Sequence, residues 1–574
     1  MKICYIWIKH FRNFDNFGFN LSSSHKFEYD LETNSISIQR GTRLPDDFFG
    51  ARITDVIGII GKNGAGKSNA LELICKLSKG AKTSVQTDFL IIIEDKEVLR
   101  CYFSFEGNTK PSANFDIQFE DYKGSINPLK VVFFSNVFDE RRNEFDGEVS
   151  DISANTLFMR PFLKGEKITA FAKQVRLINS KVFSTLNIEF PVQVQFTNKI
   201  FGRVNTSMDR YAFGSNFDAL KHLGQLFRSR LREIKRGSKF THLMRLGFFF
   251  EVLYNFARKN RDKNDQLINH HKNLELFISS LANLKTEEIS EGLIDFLETE
   301  FSTLPAEQLS LLMEIEEVKD SSGDGDKLPE QIAFLRKLKH SSSELLIEHN
   351  SEGIRNRGRE YFTFDYKSEY AKSFVNEYIS LFGQLDIFEI NWVGISSGHK
   401  AYLNLFASLF QELRYTRQEH LLLCIDEGDL YLHPMWQIEF FDKLIKVLPR
   451  IFTGNIQLVL TSHSPFLLSD LPKQNITILD KSLTGSSQNG TELKMNTFGA
   501  NLYDLYSGPF FLGQKRTSDF AYSKIKDLIN AVENKRISKK DRVGYMALAN
   551  LIGDEVIQYR IKKLLKNDQD SRTP

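Results

Sequence analysis

The stretch "GIIGKNGAGKSN" at residues 58–69 decides the fold of this chain. It meets the pattern G-x-x-x-x-G-K-[S/T], with the apolar run "DVIGII" before it and the helix-like "NALELICKLSKG" after it. In this order of strand, glycine-rich loop and helix, backbone N–H groups surround phosphates, the lysine reaches the outer phosphates and the hydroxyl binds Mg²⁺. A glycine-rich turn that matches by chance would not explain both flanks. The predicted nucleotide-binding residues are Gly61, Lys62, Asn63, Gly64, Ala65, Gly66, Lys67, Ser68 and Asn69.

Composition limits the class of protein. A chain of 574 residues exceeds one core, so two or three domains are expected, and 41% hydrophobic with 26% charged residues is ordinary for a globular protein. The four cysteines have no C-x-x-C spacing, which argues against a zinc site and a disulfide framework and favours a reducing cytoplasm. The N-terminal run "ICYIWI" is too short for a signal peptide, and no stretch has the length of a membrane span. We therefore expect a cytoplasmic protein without a membrane partner.

A second informative stretch is "HLLLCIDEGDLYLHP" at residues 420–434, an apolar run that ends in Asp426 and Glu427. A buried parallel strand of this kind brings its last side chains to the edge of the sheet where a P-loop also opens. Asp426 would then bind Mg²⁺ through water, and Glu427 would polarise the attacking water. Apolar residues before Asp-Glu are common, but beside a P-loop they indicate ATP hydrolysis.

Two further stretches flank that strand. "GISSGHKAYLNLFASLFQEL" at residues 394–413 places Ser396, Ser397 and Gly398 before an apolar helix, where N–H groups and hydroxyls suit a phosphate. "IQLVLTSHSPFLLSDLP" at residues 456–472 is a second buried strand, which leads to His463. A Ser-Ser-Gly turn or a lone histidine is commonly only a helix cap or a surface residue. Here the order of the two stretches and their spacing along the chain favour a shared site.

The ordered set "GKNGAGKS", "ISSGHK", "LLLCIDE" and "TSHSP" resembles the ABC-type ATPase heads of the RecF, SMC and OLD (overcoming lysogenization defect) group. "DEGDLYLHP" and "TSHSPFLLSDLP" are similar to the OLD-like branch, and the likeness covers about 250 residues, near 1–140 and 385–480. The resemblance implies an α/β P-loop ATPase head, with a mixed sheet and flanking helices, that uses ATP and Mg²⁺.

The resemblance also assigns roles. It makes residues 61–68 Walker A, residues 396–400 the signature, and Asp426 and Glu427 Walker B, with Glu427 and the switch histidine His463 as catalytic residues. The opening "IWIKHFRNFDNFGFNLS" implies that Arg12 and Asn13 lie near the nucleotide.

Two positions depart from the family pattern. His399 stands where Glu or Gln is usual, which predicts an altered contact with nucleotide. Asn136, after the strand in "VVFFSNVFDERR", is the nearest counterpart of the Q-loop glutamine and a candidate metal ligand beside Ser68 and Asp426. In such heads the signature caps ATP bound by a second head, so the resemblance implies at least a homodimer.

The motifs divide the chain into four parts. We expect an N-terminal lobe of the head at 1–140, a mainly helical insertion at 141–385, a C-terminal lobe at 386–482, and a helical C-terminal part with a tail at 483–574. The insertion keeps no clean heptad, so a compact helical cap or short arm is expected rather than a long coiled coil.

Charge in the insertion is polarised. Residues 221–263 hold about a dozen Lys and Arg against three acids, whereas residues 285–330 are acidic. The basic helices would grip a nucleic-acid backbone, or the two stretches would neutralise each other, and the sequence favours neither. The pair His270 and His271 is expected in a solvated loop rather than a metal site. The candidate nucleic-acid contacts are Arg228, Arg230, Arg232, Lys235 and Arg236.

The C-terminal part bears on the function class. Fewer than a hundred residues follow "NITILD" at 475–480, too few for the TOPRIM nuclease domain of OLD nucleases. This part resembles the nuclease-less PtuA-type ATPases of Septu and retron-associated antiphage systems. That resemblance implies a separate partner, either an HNH-type nuclease or a reverse transcriptase with its nucleic acid. A RecF-like DNA-repair clamp is the alternative, and a transporter subunit is disfavoured by the insertion.

Overall fold

The computed structural model describes residues 1–80, 85–107, 109–137, 143–145, 148–153, 169–198, 200, 217–230, 234–259, 274, 276–281, 284–301, 327–351, 359–383, 385, 387–482, 486–489, 495–506, 517–533 and 539–570. The strands are β1 Lys2–Phe11, β2 Phe14–Asn20, β3 His25–Asp30, β4 Ser35–Arg40, β5 Ile53–Gly61, β6 Phe89–Asp95, β7 Val98–Ser104, β8 Ser112–Ala113, β9 Gln118–Asp121, β10 Leu129–Ser135, β11 Val149–Asp151, β12 Gln193–Asn198, β13 Leu346–Ser351, β14 Glu360–Asp365, β15 Phe388–Val393, β16 His420–Asp426, β17 Asn455–Thr461, β18 Ile476–Lys481 and β19 Ser487–Asn489. The helices are α1 Lys67–Ser78, α2 Ala170–Ile178, α3 Phe183–Leu186, α4 Phe217–Arg230, α5 Arg236–Lys259, α6 Thr286–Phe301, α7 Leu328–Leu345, α8 Glu369–Phe382, α9 Ser397–Leu413, α10 Pro434–Ile451, α11 Pro465–Asp470, α12 Leu502–Tyr506, α13 Asp519–Glu533, α14 Lys539–Asn550 and α15 Glu555–Asp570.

A seven-stranded sheet of order β11-β10-β16-β17-β5-β18-β19 forms the centre of the head. All its neighbours pair in parallel except β18 and β19. Strands β5, β16 and β17 are apolar runs because helices and a second sheet cover both faces. Ser135, Asp426 and Thr461 lie in register at the same end of β10, β16 and β17. This end of the sheet is where β5 runs into the P-loop.

Helix α1 packs between the central sheet and a second sheet of order β2-β1-β6-β7-β9. Its buried face includes Leu71, Ile74 and Leu77, which share one core with β1, β6 and β16. Helices α9 and α10 cover the opposite face of the central sheet. The head is thus a mixed α/β structure with flanking helices, which agrees with the predicted fold class.

The insertion contains a four-stranded antiparallel sheet of order β13-β14-β12-β15 as well as helices. Helices α4 to α8 and this sheet share one core, rich in phenylalanine, in which Phe196 and Phe240 are fully buried. The sequence predicted the helices but not the sheet. Leu403 of α9 belongs to the same core, so the insertion and the C-terminal lobe of the head are packed together.

Two elements cross the boundaries expected from sequence. Strand β15, beyond residue 385, pairs with β12 of the insertion sheet, and β19, beyond residue 482, extends the head sheet. Helices α13 to α15 pack on one another around a small core that includes Leu528 and Leu565. Among the helices described, none combines the length and apolarity needed to cross a membrane.

Candidate nucleotide-binding and hydrolysis site

The P-loop lies between the end of β5 and the start of α1. Gly66 precedes α1 with φ 95°, a left-handed conformation that favours glycine. A Cβ at Gly66 would lie 2.8 Å from the Ser487 hydroxyl oxygen and would collide with the Asn13 amide. The second fixed glycine of the motif, Gly66, is therefore required for both conformational and steric reasons.

Lys67 is 5% exposed, and its ammonium group lies over the loop. The Nζ atom donates to the Gly61 carbonyl at 3.1 Å and lies 2.9 Å from Nε2 of His463. Burial lowers the pKa of Lys67, and the carboxylates of Glu427 and Asp426 oppose this shift. The Lys67 ammonium group therefore lies close to His463, and it is near enough to the carboxylates of Asp426 and Glu427 to feel their charge.

Asp426 is a buried carboxylate surrounded by hydroxyls. It accepts hydrogen bonds from Thr461 at 2.6 Å, from Ser68 at 2.8 Å and from Ser135 at 3.3 Å. Burial raises the pKa of Asp426, and the hydrogen bonds from Thr461 and Ser68 oppose that shift. The sequence predicted Ser68 and Asp426 as a pair but missed Thr461 and Ser135, whose only signal was their place at the ends of neighbouring strands.

The oxygen atoms around Asp426 fit Mg²⁺, which prefers oxygen ligands and is commonly bound through one or two carboxylates together with substrate phosphates. Within the described part of the chain, no group of three or more His, Cys, Asp or Glu side chains is arranged to hold a metal ion. The Ser68 hydroxyl and the Asp426 carboxylate, 2.8 Å apart at the P-loop, are the groups that suit Mg²⁺ here.

Glu427 has φ 49°, a left-handed conformation that is uncommon for a residue with a side chain and that clusters at functional sites. Its N–H donates to the Thr461 carbonyl at 3.2 Å, which joins the residue to the end of β17. Its Oε1 lies 2.9 Å from Nε2 of His463. The hydrogen bond with His463 holds the pKa of Glu427 below its ordinary value, although burial opposes it. The carboxylate is thus ionised at neutral pH, as a general base must be.

Asn136 follows β10 and lies beside Asp426. Its N–H donates to the Asp426 carbonyl at 3.2 Å, and its side-chain amide donates to the Leu430 carbonyl at 2.8 Å. The predicted metal ligand therefore connects β10 to the loop after β16.

The loop after β16 and the loop after β17 are joined by residues that sequence reasoning did not single out. The Ser462 hydroxyl donates to the buried Asp429 carboxylate at 2.7 Å, and the Ser464 N–H donates to the Ser462 hydroxyl at 2.9 Å. These bonds fix the backbone on either side of His463.

Arg12 and Asn13 lie against the start of α1. The Arg12 guanidinium forms two hydrogen bonds with Glu72, at 2.6 and 2.8 Å, and one with Asn69 at 2.9 Å. Asn13 accepts a bond from Asn69 at 2.5 Å and donates to the Ser487 hydroxyl. The predicted residues thus lie beside the P-loop helix.

Ser487 of β19 completes this network and was missed from the sequence. Its hydroxyl donates to the Ala65 carbonyl at 2.5 Å, and its N–H donates to the Asn13 carbonyl at 2.6 Å. Ser487 therefore joins the P-loop backbone at Ala65 to Asn13, in the turn between β1 and β2. The surrounding "TGSSQNG" is a plain turn-like sequence and offers no signal for this role.

The signature residues begin α9. Ser396 caps the helix, with its hydroxyl accepting a bond from the His399 N–H at 3.1 Å. Gly398 faces the loop after β16, where a Cβ would lie 3.2 Å from the Tyr431 carbonyl. The His399 side chain is buried against Trp436 of α10, so it points into the head.

The basic residues of the insertion are only partly described. Arg228 and Arg230 lie in the last turn of α4, and Arg230 donates to the Leu284 carbonyl. Lys235 is exposed in the connection to α5, and Arg236 begins that helix. Arg232, His270 and His271 lie outside the described residues.

Residues 285–469 match the protein family described as "AAA domain, putative AbiEii toxin, Type IV TA system". The match takes in the signature, Asp426, Glu427 and His463, covers about a third of the chain, and leaves out the P-loop.

Three curated relatives are similar over shorter stretches. Retron Vc95 probable ATPase of Vibrio cholerae serotype O1 biovar El Tor is 28% identical over 155 residues, 24% of this chain and 29% of the relative. Retron Ec83 probable ATPase of Escherichia coli is 33% identical over 92 residues, 15% of this chain and 16% of the relative. Septu protein PtuA of Bacillus thuringiensis is 30% identical over 89 residues, 14% of this chain and 21% of the relative.

The chain therefore aligns with less than a third of the length of each of these relatives. Together with the AAA domain match, they support an ATPase of the antiphage defence group.

Proposed function

We propose that this chain binds ATP and hydrolyses it to ADP and phosphate, using Mg²⁺. The observation that carries the proposal is the convergence of Lys67, Asp426, Glu427 and His463, from three separate stretches, at one end of the central sheet. A buried lysine, an ionised carboxylate and a hydroxyl-lined aspartate at a P-loop match the needs of phosphoryl transfer.

Each residue has a defined task in this proposal. The P-loop N–H groups and Lys67 would bind and orient the phosphates. Ser68 and Asp426 would hold Mg²⁺, which would supply positive charge to neutralise the phosphates. Glu427 accepts a proton from the attacking water. Nε2 of His463 lies 2.9 Å from both Lys67 Nζ and Glu427 Oε1, and as an N–H group it donates to Glu427 and orients that carboxylate. Arg12, Asn13 and Asn69 support the loop and the edge of the nucleotide site.

The functional unit that we propose is at least a homodimer. Ser396, Ser397 and Gly398 would contact the nucleotide bound by a second head, so ATP would close the dimer and hydrolysis would release it. Support for this step comes from the place of Ser396 at the N-terminus of a 17-residue helix, where free N–H groups favour a phosphate.

The cellular role that we propose is antiphage defence. The chain would control a separate effector, an HNH-type nuclease or a reverse transcriptase with its nucleic acid, and would cut no nucleic acid itself. The retron and Septu names of the relatives support this role over DNA repair, which remains the alternative if DNA alone drives the cycle.

The test of the activity is ATP hydrolysis by the full chain with two variants. Lys67→Ala is expected to bind no ATP, and Glu427→Gln to bind ATP but hydrolyse it roughly 100-fold or more slowly. Glu427→Gln should also accumulate as an ATP-dependent dimer in light scattering. Glu377→Gln, the same change at an exposed glutamate of α8, is the matched control and should behave as wild type. Equal turnover in Glu427→Gln and wild type would remove Glu427 from catalysis.

The partner is tested by tagged purification from the native operon with and without ATP. Co-purification of a nuclease or a reverse transcriptase supports the defence role. A homodimer alone, with turnover stimulated by DNA, supports the repair alternative.

A further inference from the structure

The signature helix α9 carries two buried polar side chains on one face, His399 and Tyr402, which are 4% and 1% exposed. They are three positions apart, a spacing that makes side chains neighbours on a helix. Both rings also contact Trp436, with centroid distances of 5.6 and 5.5 Å. The pair therefore lies where the signature helix meets α10, the helix that follows Asp426 and Glu427.

Each side chain has a polar atom that is buried without a hydrogen bond. Within the described part of the chain, no partner is present for Nε2 of His399 or for the hydroxyl of Tyr402. Such groups are rare because their burial without a partner costs free energy. Two of them on adjacent turns of one helix call for a joint explanation.

The two atoms are complementary. Burial raises the pKa of Tyr402 far above its ordinary range, so the hydroxyl keeps its proton and is a donor. Burial lowers the pKa of His399, and the Glu189 carboxylate and backbone oppose the shift, so the neutral ring has one nitrogen as an acceptor.

Other residues of α9 join the helix to the insertion. Lys400 donates to Asn391 of β15 at 3.1 Å, and Gln174 of α2 donates to Asn404. The position of the signature thus depends on α10 on one side and on the insertion on the other.

We infer that His399 and Tyr402 are positioning residues for the signature. In the arrangement of α9 in which Ser396 to Gly398 engage the nucleotide of a second head, the Tyr402 hydroxyl donates to Nε2 of His399. This inference rests on the proposed function. The new hydrogen bond satisfies both buried atoms. It therefore favours the engaged arrangement over the arrangement in which neither atom has a partner among the described residues.

Tyr402→Phe tests the inference because stability and activity should change independently. The substitution removes an unpartnered hydroxyl, so the thermal unfolding midpoint of the nucleotide-free protein should not fall. The ATP turnover number should fall about threefold to tenfold, the size of one lost hydrogen bond, with the KM for ATP changed less than twofold. A merely structural tyrosine would lower the unfolding midpoint together with turnover.

Variants at His399 test the acceptor. His399→Leu should lower turnover as much as Tyr402→Phe, whereas His399→Gln keeps an acceptor oxygen and should retain at least about half of the wild-type turnover. In the double variant His399→Leu with Tyr402→Phe, turnover should fall no further than in the lower single variant, because both changes remove the same bond.

Tyr378→Phe is the matched control. The Tyr378 hydroxyl is also buried, with the Phe388 backbone near it but without hydrogen-bond geometry, and it lies in the insertion core on α8. The ATP turnover number of Tyr378→Phe should equal that of wild type. The inference is overturned if Tyr402→Phe keeps wild-type turnover, or if the two single variants are additive. If wild type hydrolyses ATP no faster than Lys67→Ala, the proposed function is overturned, and the inference with it.

Discussion

The Ser68 hydroxyl donates a hydrogen bond to the Asp426 carboxylate at 2.8 Å, although 358 positions separate the two residues in the chain. Ser68 lies in the first turn of α1, and Asp426 is the last residue of β16. This bond joins the P-loop helix to the end of the central sheet at which Glu427 and His463 also lie.

Loss of the Ser68 hydroxyl should weaken the response to Mg²⁺. Ser68→Ala is expected to raise the Mg²⁺ concentration for half-maximal ATP turnover roughly 10-fold or more, the size of effect that loss of a group near a bound metal has. Ser68→Thr keeps the hydroxyl and should stay near wild type. The same Mg²⁺ dependence in all three proteins would contradict the metal role of Ser68.

Loss of the Ser487 hydroxyl should weaken ATP binding without removing the catalytic groups. Ser487→Ala cannot hold the Ala65 carbonyl or the Asn13 amide, so the P-loop backbone loses support. We expect the KM for ATP to rise about threefold to tenfold, with a smaller change in the turnover number. Gln488→Ala changes an exposed neighbour on β19 and is the control. An equal rise in the KM for ATP in both variants would contradict the supporting role of the Ser487 hydroxyl.

Asp470 should make stability depend on pH. Burial, followed by the charge of Asp442, raises the pKa of Asp470 from 3.8 to about 6. Because the folded state favours the protonated form, this contribution is full below pH 3.8 and is lost as the pH rises through 6.

Asp470→Asn stays neutral and is therefore expected to be more stable than wild type at pH 7, by about 1–2 kcal/mol after allowance for partial solvent exposure. The two proteins should converge as the pH falls to 4, as measured by urea unfolding. Asp442→Asn should give part of the same effect. A difference that is constant with pH would contradict the assignment to Asp470.

Substitutions in the basic segment of the insertion should distinguish nucleic-acid binding by this segment from a role in internal packing. Lys235 is exposed, whereas Arg230 donates to the Leu284 carbonyl. If the segment binds DNA, Lys235→Glu lowers affinity and reduces the slope of log affinity against log salt by about one. Arg230→Glu is expected to lower stability by about 1–2 kcal/mol.

The measurement is DNA binding at several salt concentrations beside thermal unfolding. Lys367→Glu, an exposed lysine outside the basic segment, is the control. An unchanged salt slope in Lys235→Glu, with an altered oligomer, would favour the charge-neutralising role over nucleic-acid binding.

The sequence by itself determined the P-loop and the α/β class of the head. The reason is that "GKNGAGKS" and "LLLCIDE" are continuous stretches whose chemistry and flanking strand or helix are local. Parallel strands that end in polar residues also have to bring those residues to one edge, so Lys67, Asp426, Glu427 and His463 were predicted as one site, and they lie together.

Only the tertiary structure decided which other residues surround that site. Ser487 reaches Ala65 because β19 folds back along β18, and the insertion sheet forms because β12 pairs with β14 and β15 from distant parts of the chain. Strand pairing over such separations leaves no local pattern. The inward direction of His399 is likewise set by packing against Trp436, since a helix position shows its face only when its neighbours are known.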